Sequence, residues 1–151
     1  MNKLSLIILI SILNSQNFPY FDGNLAYDYL EKQCELGPRF PGSEGHEKFI
    51  VMLDKFLNPI ADKIIKHEII ITHPIWNKPV EITNILARFS PERERRILLL
   101  AHWDTREIAD MDPILSNQDK PILGANDGAS GVAILMQIAN ILKNNPLLNI
   151  G

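Results

Sequence analysis

Three polar residues near the middle of the chain have the types and the spacing of a metal site. His102 and Asp104 are separated by one residue and follow an apolar run, residues 97–100. Asp127 lies where a glycine-rich segment leads into a helical pattern. Polar groups at the end of a buried strand and at the next helix start occupy the place where open α/β sheets bind ligands. Imidazole and carboxylate groups in that place suit zinc.

Each part of this set also has a simpler interpretation. Residues two apart on a strand point to the same face, so His102 and Asp104 can both hold a metal. Alternatively, Asp104 fixes one tautomer of the His102 ring. Asp127 alone equally fits an ordinary helix N-cap. Its neighbours Gly124 and Gly128 carry no side chain, however, and this lets a metal and a substrate approach closely.

The helices that must position these groups are predicted from the spacing of apolar residues. The first covers residues 22–36 and ends at Gly37. The second follows Ser43, whose hydroxyl is suited to cap it. The third begins near Asp127, and its core stripe consists of Val132, Leu135, Met136, Ala139 and Leu142.

Three runs rich in β-branched and apolar residues predict strands, over residues 63–72, 80–89 and 97–101. The last run has no polar alternation, and this predicts a strand that is covered on both faces. The short turn at residues 90–93 favours pairing between the last two strands, and residues 147–151 are typical of the approach to a further strand. Helices and strands in this order predict an α/β fold.

Composition and charge narrow the class of protein. The chain has 151 residues, of which 46% are hydrophobic and 22% charged, as in ordinary soluble globular proteins. A net charge of −3 without a block of like charges argues against nucleic acid as a partner. Cys34 is the only cysteine, so no intrachain disulfide can form, and we expect it to be a small core residue.

The N-terminus has the layout of a secretory signal. Lys3 precedes an apolar run, residues 4–13, and a polar exit follows at residues 14–17. The run is shorter than the roughly 20 apolar residues that span a bilayer, so no stable membrane span is expected. We therefore expect residues 1–17 to be a signal peptide, residues 18–151 to be the domain, and the protein to be periplasmic or extracellular. The alternative is a buried N-terminal strand or helix.

Together, four segments resemble the zinc-dependent exopeptidases of the bacterial leucyl aminopeptidase type: residues 37–43, 102–106, 109–113 and 121–131. The residues in these segments are more similar to those of the bacterial glutaminyl-peptide cyclotransferase-like branch of that family. The resemblance extends over residues 22–142. It implies a three-layer α/β fold with a mixed central sheet, truncated here after the helix that follows Asp127. The chain is therefore expected to be the N-terminal half of such a domain.

The resemblance also implies roles for the three polar residues. Asp127 matches an aspartate that binds zinc in both branches. His102 matches a ligand of the second zinc in the aminopeptidases, whereas in the cyclases the equivalent histidine does not bind the metal. Asp104 matches the acid beside it, which orients its neighbours from outside the metal's coordination sphere. The general-base glutamate and the other ligands are expected beyond Gly151, so no catalytic residue is assigned in this chain.

Three functions follow from this interpretation. The first is a zinc-dependent glutaminyl-peptide cyclotransferase, which converts an N-terminal glutamine of a peptide or protein to pyroglutamate and releases ammonia. The second is a two-zinc aminopeptidase that hydrolyses N-terminal peptide bonds. The third is a non-catalytic binding domain of the same fold, against which the intact His102 and Asp127 argue. The chain alone is expected to be inactive in each case.

The remaining polar and aromatic residues are given structural roles. Four charged residues are expected to hold the loops around the site: Arg39, Arg106, Asp110 and Asp112. Trp103 points away from the face shared by its two neighbours and is expected to pack in the core. Three histidines without partners at ligand spacing are expected on the surface: His46, His67 and His73.

Overall fold

The computed structural model describes residues 19–73 and 76–151. The predicted signal segment, residues 1–17, lies outside these ranges. The main elements are α1 (Gly23–Glu35), α2 (Glu44–Leu57), β1 (Lys63–Thr72), β2 (Pro79–Arg88) and α3 (Ser130–Asn144). A short 3-10 turn (Leu115–Asn117) and a π-type turn (Ala125–Ala129) lie between β2 and α3. Within the described ranges, no helix combines the length and the apolar character needed to span a membrane.

The first two helices start at capping side chains, of which the second, Ser43, is predicted from the sequence. An Asp22 carboxylate oxygen accepts hydrogen bonds from the backbone N–H groups of Asn24 and Leu25, at 3.0 and 3.1 Å. The Ser43 hydroxyl oxygen accepts one from the N–H of His46, at 3.1 Å. These bonds satisfy backbone donors that have no partner inside a helix. The predicted helices are confirmed, with α1 inside residues 22–36 and α2 directly after Ser43.

The sheet of the described residues is an antiparallel pair, β1 with β2. Its register places Lys63 opposite Arg88 and Thr72 opposite Pro79. The strands predicted over residues 63–72 and 80–89 are thereby confirmed. Most of β1 is exposed to solvent, while β2 alternates more clearly between exposed and partly buried positions.

The third predicted strand is wrong as a member of this sheet. Residues 97–101 form no strand among the described residues, and the partner of β2 in the sheet is β1. The Ile97 N–H donates to the Gly151 carbonyl oxygen at 3.2 Å, and the Gly151 N–H donates to Arg95 at 2.9 Å. Leu100 is 80% exposed, so the predicted cover on both faces is absent within the described part of the chain. The composition of an apolar run predicts that it should be buried, but it does not show which element buries it.

The core lies between α2 and α3. Its fully buried cluster consists of Phe49, Leu53, Leu57, Val132 and Met136. The stripe predicted on α3 is confirmed at Val132, Met136 and Ala139, whereas Leu135 and Leu142 are only partly buried. Cys34 is also only partly buried.

Trp103 connects this core to the segment that carries His102 and Asp104. Its ring stacks on Phe49 with centroids 4.8 Å apart, and lies 4.4 Å from the His46 ring. Its indole N–H donates to the Thr83 carbonyl oxygen of β2 at 3.2 Å. The predicted packing role of Trp103 is therefore confirmed, and its two neighbours are left on the opposite side of the segment.

Replacing Phe49 tests this core. In the variant Phe49→Ala the stack on Trp103 is lost and a cavity remains, so we expect the free energy of unfolding to fall by roughly 3 to 5 kcal/mol. Val51→Ala on the exposed side of the same helix is the control, with an expected change of less than about 0.5 kcal/mol. Urea unfolding of both variants provides the measurement. Equal losses in the two variants would contradict the assignment of Phe49 to the core.

Candidate metal centre

The structure brings the three predicted polar residues into direct contact. His102 Nε2 lies 2.7 Å from Asp127 Oδ1. On the other side of the ring, His102 Nδ1 lies 3.2 Å from the Asp104 carbonyl oxygen and 3.5 Å from Asp104 Oδ1. The imidazole is therefore held between two acidic residues that the sequence separates by 23 positions.

These groups open into a cavity of about 440 Å³, called here the metal cavity. The Asp127 side chain is 86% exposed, and the side chains of His102 and Asp104 are each more than half exposed. The apolar part of the wall comes from Phe40, Pro41, Ile108 and Ile122. Accessible polar atoms surrounded by apolar walls are the usual composition of a small-molecule site.

The backbone at Asp127 departs from a helix, and this turns its carboxylate into the cavity. Asp127 has φ −114° and ψ 93° inside the π-type turn, and its peptide bond to Gly128 is cis. The N-cap position of α3 is Ala129. The simpler interpretation of Asp127 as the cap of this helix is therefore wrong.

Two glycines make the close approach of His102 and Asp127 possible. A Cβ atom on Gly128 would lie 2.3 Å from the His102 carbonyl oxygen and 2.7 Å from its ring Cε1. Gly124 has φ +65°, a conformation that favours glycine, and a Cβ there would lie 2.5 Å from Thr105 Cγ2. The predicted lack of side-chain bulk around Asp127 is thus a packing requirement of the site.

Arg39 fixes the segments that carry the candidate ligands. Its side chain is fully buried. The guanidinium donates hydrogen bonds of 3.0 to 3.3 Å to four carbonyl oxygens, those of Gln33, Gly37, Trp103 and Gly124. Its backbone N–H also donates to the Thr105 hydroxyl oxygen at 2.7 Å. Trp103 lies between His102 and Asp104, and Gly124 begins the turn that carries Asp127, so one side chain connects both halves of the site.

The electrostatic setting of Arg39 is unusual, because no carboxylate forms an ion pair with it among the described residues. Burial lowers the pKa of the guanidinium from its ordinary value, while electrostatic interactions with Cys34 and Asp104 act in the opposite direction. Arginine nonetheless stays protonated in proteins. The positive charge is therefore balanced by carbonyl dipoles and by the nearby acidic residue of the site.

The other predicted loop residues bond within their own loop. Arg106 pairs with Asp110 at 3.1 Å. An Asp112 carboxylate oxygen accepts a hydrogen bond from the Ile114 N–H at 2.8 Å. These residues stabilise the loop that follows the site, and Arg106 and Asp110 also line the metal cavity.

Of the three histidines predicted on the surface, His46 is buried beneath Trp103. His73 is partly buried and pairs through Nε2 with Glu107 Oε2 at 3.1 Å. His67 is exposed, as predicted. Glu107 was missed by sequence reasoning, because it lies 34 positions from His73 and no local spacing connects them. The fold alone brings this pair to the edge of the metal cavity.

The donor set fits part of a zinc site. A ring nitrogen and a carboxylate oxygen converge from His102 and Asp127, and both types of atom are usual zinc ligands. Residues 19–73 and 76–151 contain no group of three or more histidine, cysteine, aspartate or glutamate side chains placed to hold one metal ion. The described chain therefore offers two candidate ligands, fewer than the three protein ligands of a catalytic zinc site.

Comparisons with known proteins cover the segments that carry this site. The model of peptidase family M28 matches residues 84–150, which include all three polar residues. A probable zinc metalloprotease of Leptosphaeria maculans is 34% identical over 138 residues, covering 89% of this chain and 27% of that protein. The crystal structure of Tannerella forsythia glutaminyl cyclase superposes with a TM-score of 0.83 at 38% identity, covering 87% of this chain and 45% of that one.

A leucine aminopeptidase precursor from Bacteroides thetaiotaomicron superposes equally well, with a TM-score of 0.83 at 36% identity, covering 89% of this chain and 46% of that one. The resemblance predicted from the sequence is therefore confirmed, as is the α/β fold class of the zinc exopeptidases and glutaminyl cyclases. The chain spans less than half the length of each of these relatives.

Replacing Arg39 tests its role in building the site. Arg39→Lys keeps the charge but loses the planar fork, which leaves buried carbonyl oxygens without donors, so we expect a loss of roughly 3 kcal/mol in the free energy of unfolding. Arg106→Lys, in an exposed pair, is the control and should cost less than about 1 kcal/mol. Urea unfolding measures both. A loss at Arg39 no larger than at Arg106 would contradict the role proposed for its hydrogen bonds.

Proposed function

We propose that the protein containing this chain is a single-zinc glutaminyl-peptide cyclotransferase. In this reaction the α-amine of an N-terminal glutamine attacks its own side-chain amide carbon. A carbon–nitrogen bond closes the pyroglutamate ring, and the amide nitrogen leaves as ammonia. The similarity to solved bacterial glutaminyl cyclases supports this function, and the surroundings of His102 carry the choice of one zinc over two.

Both ring nitrogens of His102 face protein oxygens. Nε2 faces the Asp127 carboxylate at 2.7 Å, and Nδ1 faces the Asp104 carbonyl oxygen at 3.2 Å. A neutral imidazole ring carries a proton on only one nitrogen. The shorter contact, to Asp127, assigns that proton to Nε2, which then offers no lone pair to a metal. This arrangement favours His102 as the residue that orients Asp127, since a hydrogen-bonded neighbour commonly fixes a ligating carboxylate. It thus favours one zinc ion, held by Asp127.

The roles of the chain's own residues follow from these contacts. Asp127 would hold the zinc ion, which when bound polarises the amide carbonyl of the substrate as a Lewis acid. His102 orients the Asp127 carboxylate, and Asp104 fixes the His102 ring. Phe40 and Ile122 provide apolar walls that reduce access of water to the substrate. No described residue is assigned as the proton-transferring base.

A two-zinc aminopeptidase is the second candidate. The match to a peptidase family and the similarity to a leucine aminopeptidase precursor support it. In that case His102 would turn Nε2 away from Asp127 towards a second metal ion. A non-catalytic binding domain is less well supported, because His102 and Asp127 are both present and meet in an open cavity. We further propose, from residues 1–17, that the protein is exported and acts on peptide or protein N-termini outside the cytoplasm.

Metal analysis and two substrates test the choice between the enzymes. In the natural protein that contains this chain, we expect one zinc ion per chain and cyclisation of glutaminyl peptides. Asp127→Ala should remove the zinc, because it removes a charged ligand. His102→Ala should keep the zinc and lower the cyclisation rate by about 10- to 100-fold, as expected for a residue that orients a ligand.

Asp112→Ala is the matched control. The Asp112 carboxylate bonds within its own loop and does not line the metal cavity. It should leave both zinc content and rate unchanged. Two zinc ions in the wild type, a fall to one in His102→Ala, and release of N-terminal leucine would establish the aminopeptidase instead.

A further inference from the structure

A second cleft opens beside the metal cavity, where β1 turns into β2. It has a volume of about 340 Å³ and is called here the hairpin cleft. Its wall comprises Phe40, Pro41, Gly42, His73, Trp76, Lys78, Pro79, Val80 and Glu107. Four of these residues, Phe40, Pro41, His73 and Glu107, also line the metal cavity. The hairpin cleft and the metal cavity are therefore adjacent on the protein surface.

Trp76 is held in a fixed orientation at this cleft although its ring is half exposed. Its indole N–H donates to Glu107 Oε2 at 2.7 Å. Its backbone N–H donates to His73 Nδ1 at 3.2 Å, and the His73 and Trp76 rings lie 23° from parallel. The ring nevertheless remains 53% exposed. A large aromatic face that is fixed but uncovered is suited to bind an apolar group at little cost in side-chain entropy.

Two polar groups next to Trp76 connect the hairpin to the loop that carries the site. Glu107 Oε2 accepts hydrogen bonds from both Trp76 Nε1 and His73 Nε2, at 2.7 and 3.1 Å. Since Nδ1 of His73 accepts a hydrogen bond from the Trp76 backbone N–H, the ring proton lies on Nε2, which donates it in a hydrogen bond to Glu107. Glu107 lies three positions after Asp104, so this cluster attaches the hairpin directly to the segment of the candidate metal ligands.

The exposed aromatic face of Trp76 indicates an apolar occupant in a cleft of mixed polarity. Phe40, Pro41, Pro79 and Val80 also line the cleft, and the Glu107 carboxylate is already engaged by two donors. Lys78, the other charged residue of the wall, has a long stem that can cover apolar surface while its ammonium stays in water. The volume is within the range of about 300 to 1,000 Å³ typical of ligand sites.

We infer that the hairpin cleft binds the side chain of the second residue of the substrate peptide, and that it prefers a large apolar or aromatic side chain there. This inference rests on the proposed function only in that the substrate is a peptide N-terminus held at the metal cavity. The shared wall places the next residue of such a peptide at the hairpin cleft, because one extended residue spans at most about 3.6 Å. Trp76 is then the residue that determines specificity at this position.

Paired dipeptide substrates test this inference. For glutaminyl-phenylalanine amide and glutaminyl-glycine amide, we expect the wild-type ratio of kcat/KM to favour phenylalanine. In Trp76→Ala that ratio should fall about tenfold, mainly through KM, because the lost contact is hydrophobic and not part of the reaction. Tyr27→Ala is the matched control, since Tyr27 is an exposed aromatic residue that lines neither cavity, and the ratio should not change.

Trp76→Phe separates the aromatic face from its attachment. It keeps a ring but loses the hydrogen bond to Glu107, so it should retain a larger part of the preference than Trp76→Ala. If Trp76→Ala leaves the substrate ratio as it is in the wild type, the cleft is not a subsite and the inference is wrong. The same comparison with leucyl-phenylalanine and leucyl-glycine amides applies if the enzyme proves to be an aminopeptidase.

A binding measurement keeps the test independent of either activity. The chain contains two tryptophans, and Trp103 is packed in the core, so the difference between the fluorescence of the wild type and of Trp76→Ala reports Trp76. Titration with glutaminyl-phenylalanine amide should give a saturable blue shift in that difference. Glutaminyl-glycine amide should shift it much less. No shift with either peptide, or equal shifts with both, overturns the inference even if the protein is a cyclase.

Discussion

The buried guanidinium of Arg39 is the constraint on which the site depends. Removing a charge from water costs several kcal/mol unless hydrogen bonds replace the lost hydration. Here four backbone carbonyl oxygens replace it. Two of them, those of Gln33 and Gly37, lie on the stretch that leads to Arg39 itself, and the other two belong to the segments of Trp103 and Gly124. The charge can be satisfied only when these three segments meet. The segments of His102 and of Asp127 are therefore brought together by the hydrogen-bonding requirement of Arg39, a residue outside both segments.

A second connection approaches the site from the hairpin. The contacts of Glu107 with His73 and Trp76 attach an exposed pair of strands to the loop after Asp104. Unlike the Arg39 contacts, they lie near the surface and leave an aromatic face open. The buried connection thus builds the candidate metal centre, whereas the outer one shapes the surface through which a substrate reaches it.

Local patterns in the sequence predicted those features of the fold that depend on residues close together in the chain. The capping side chain Ser43 and the two hairpin strands lie within or next to the elements that they specify. The small residues around Asp127 were recognised from the sequence, although the residues for which they make room, His102 and Thr105, lie far along the chain. His46 was misjudged, and the pairing of His73 was missed, because their surroundings come from distant residues. Glu107 had no signal at all, since its partners lie across a loop.

The apolar run at residues 97–100 is a further case in which a local pattern does not identify the distant residues that pack against it. Its composition predicts burial, and burial depends on what lies against it. Within the described part of the chain, Gly151 provides backbone hydrogen bonds near its start, while Leu100 stays exposed. Hydrophobicity alone therefore identified the segment that leads into the site, because His102 follows it directly. It did not predict which element covers this segment.

Trp103 makes the candidate ligands and the core one cooperative unit. Its ring is stacked in the core while its peptide neighbours, His102 and Asp104, face the metal cavity. Its carbonyl oxygen is also one of the Arg39 acceptors. The segment cannot rotate outward locally without breaking the stack on Phe49. Outward movement of the segment that carries His102 and Asp104 is consequently coupled to opening of the core.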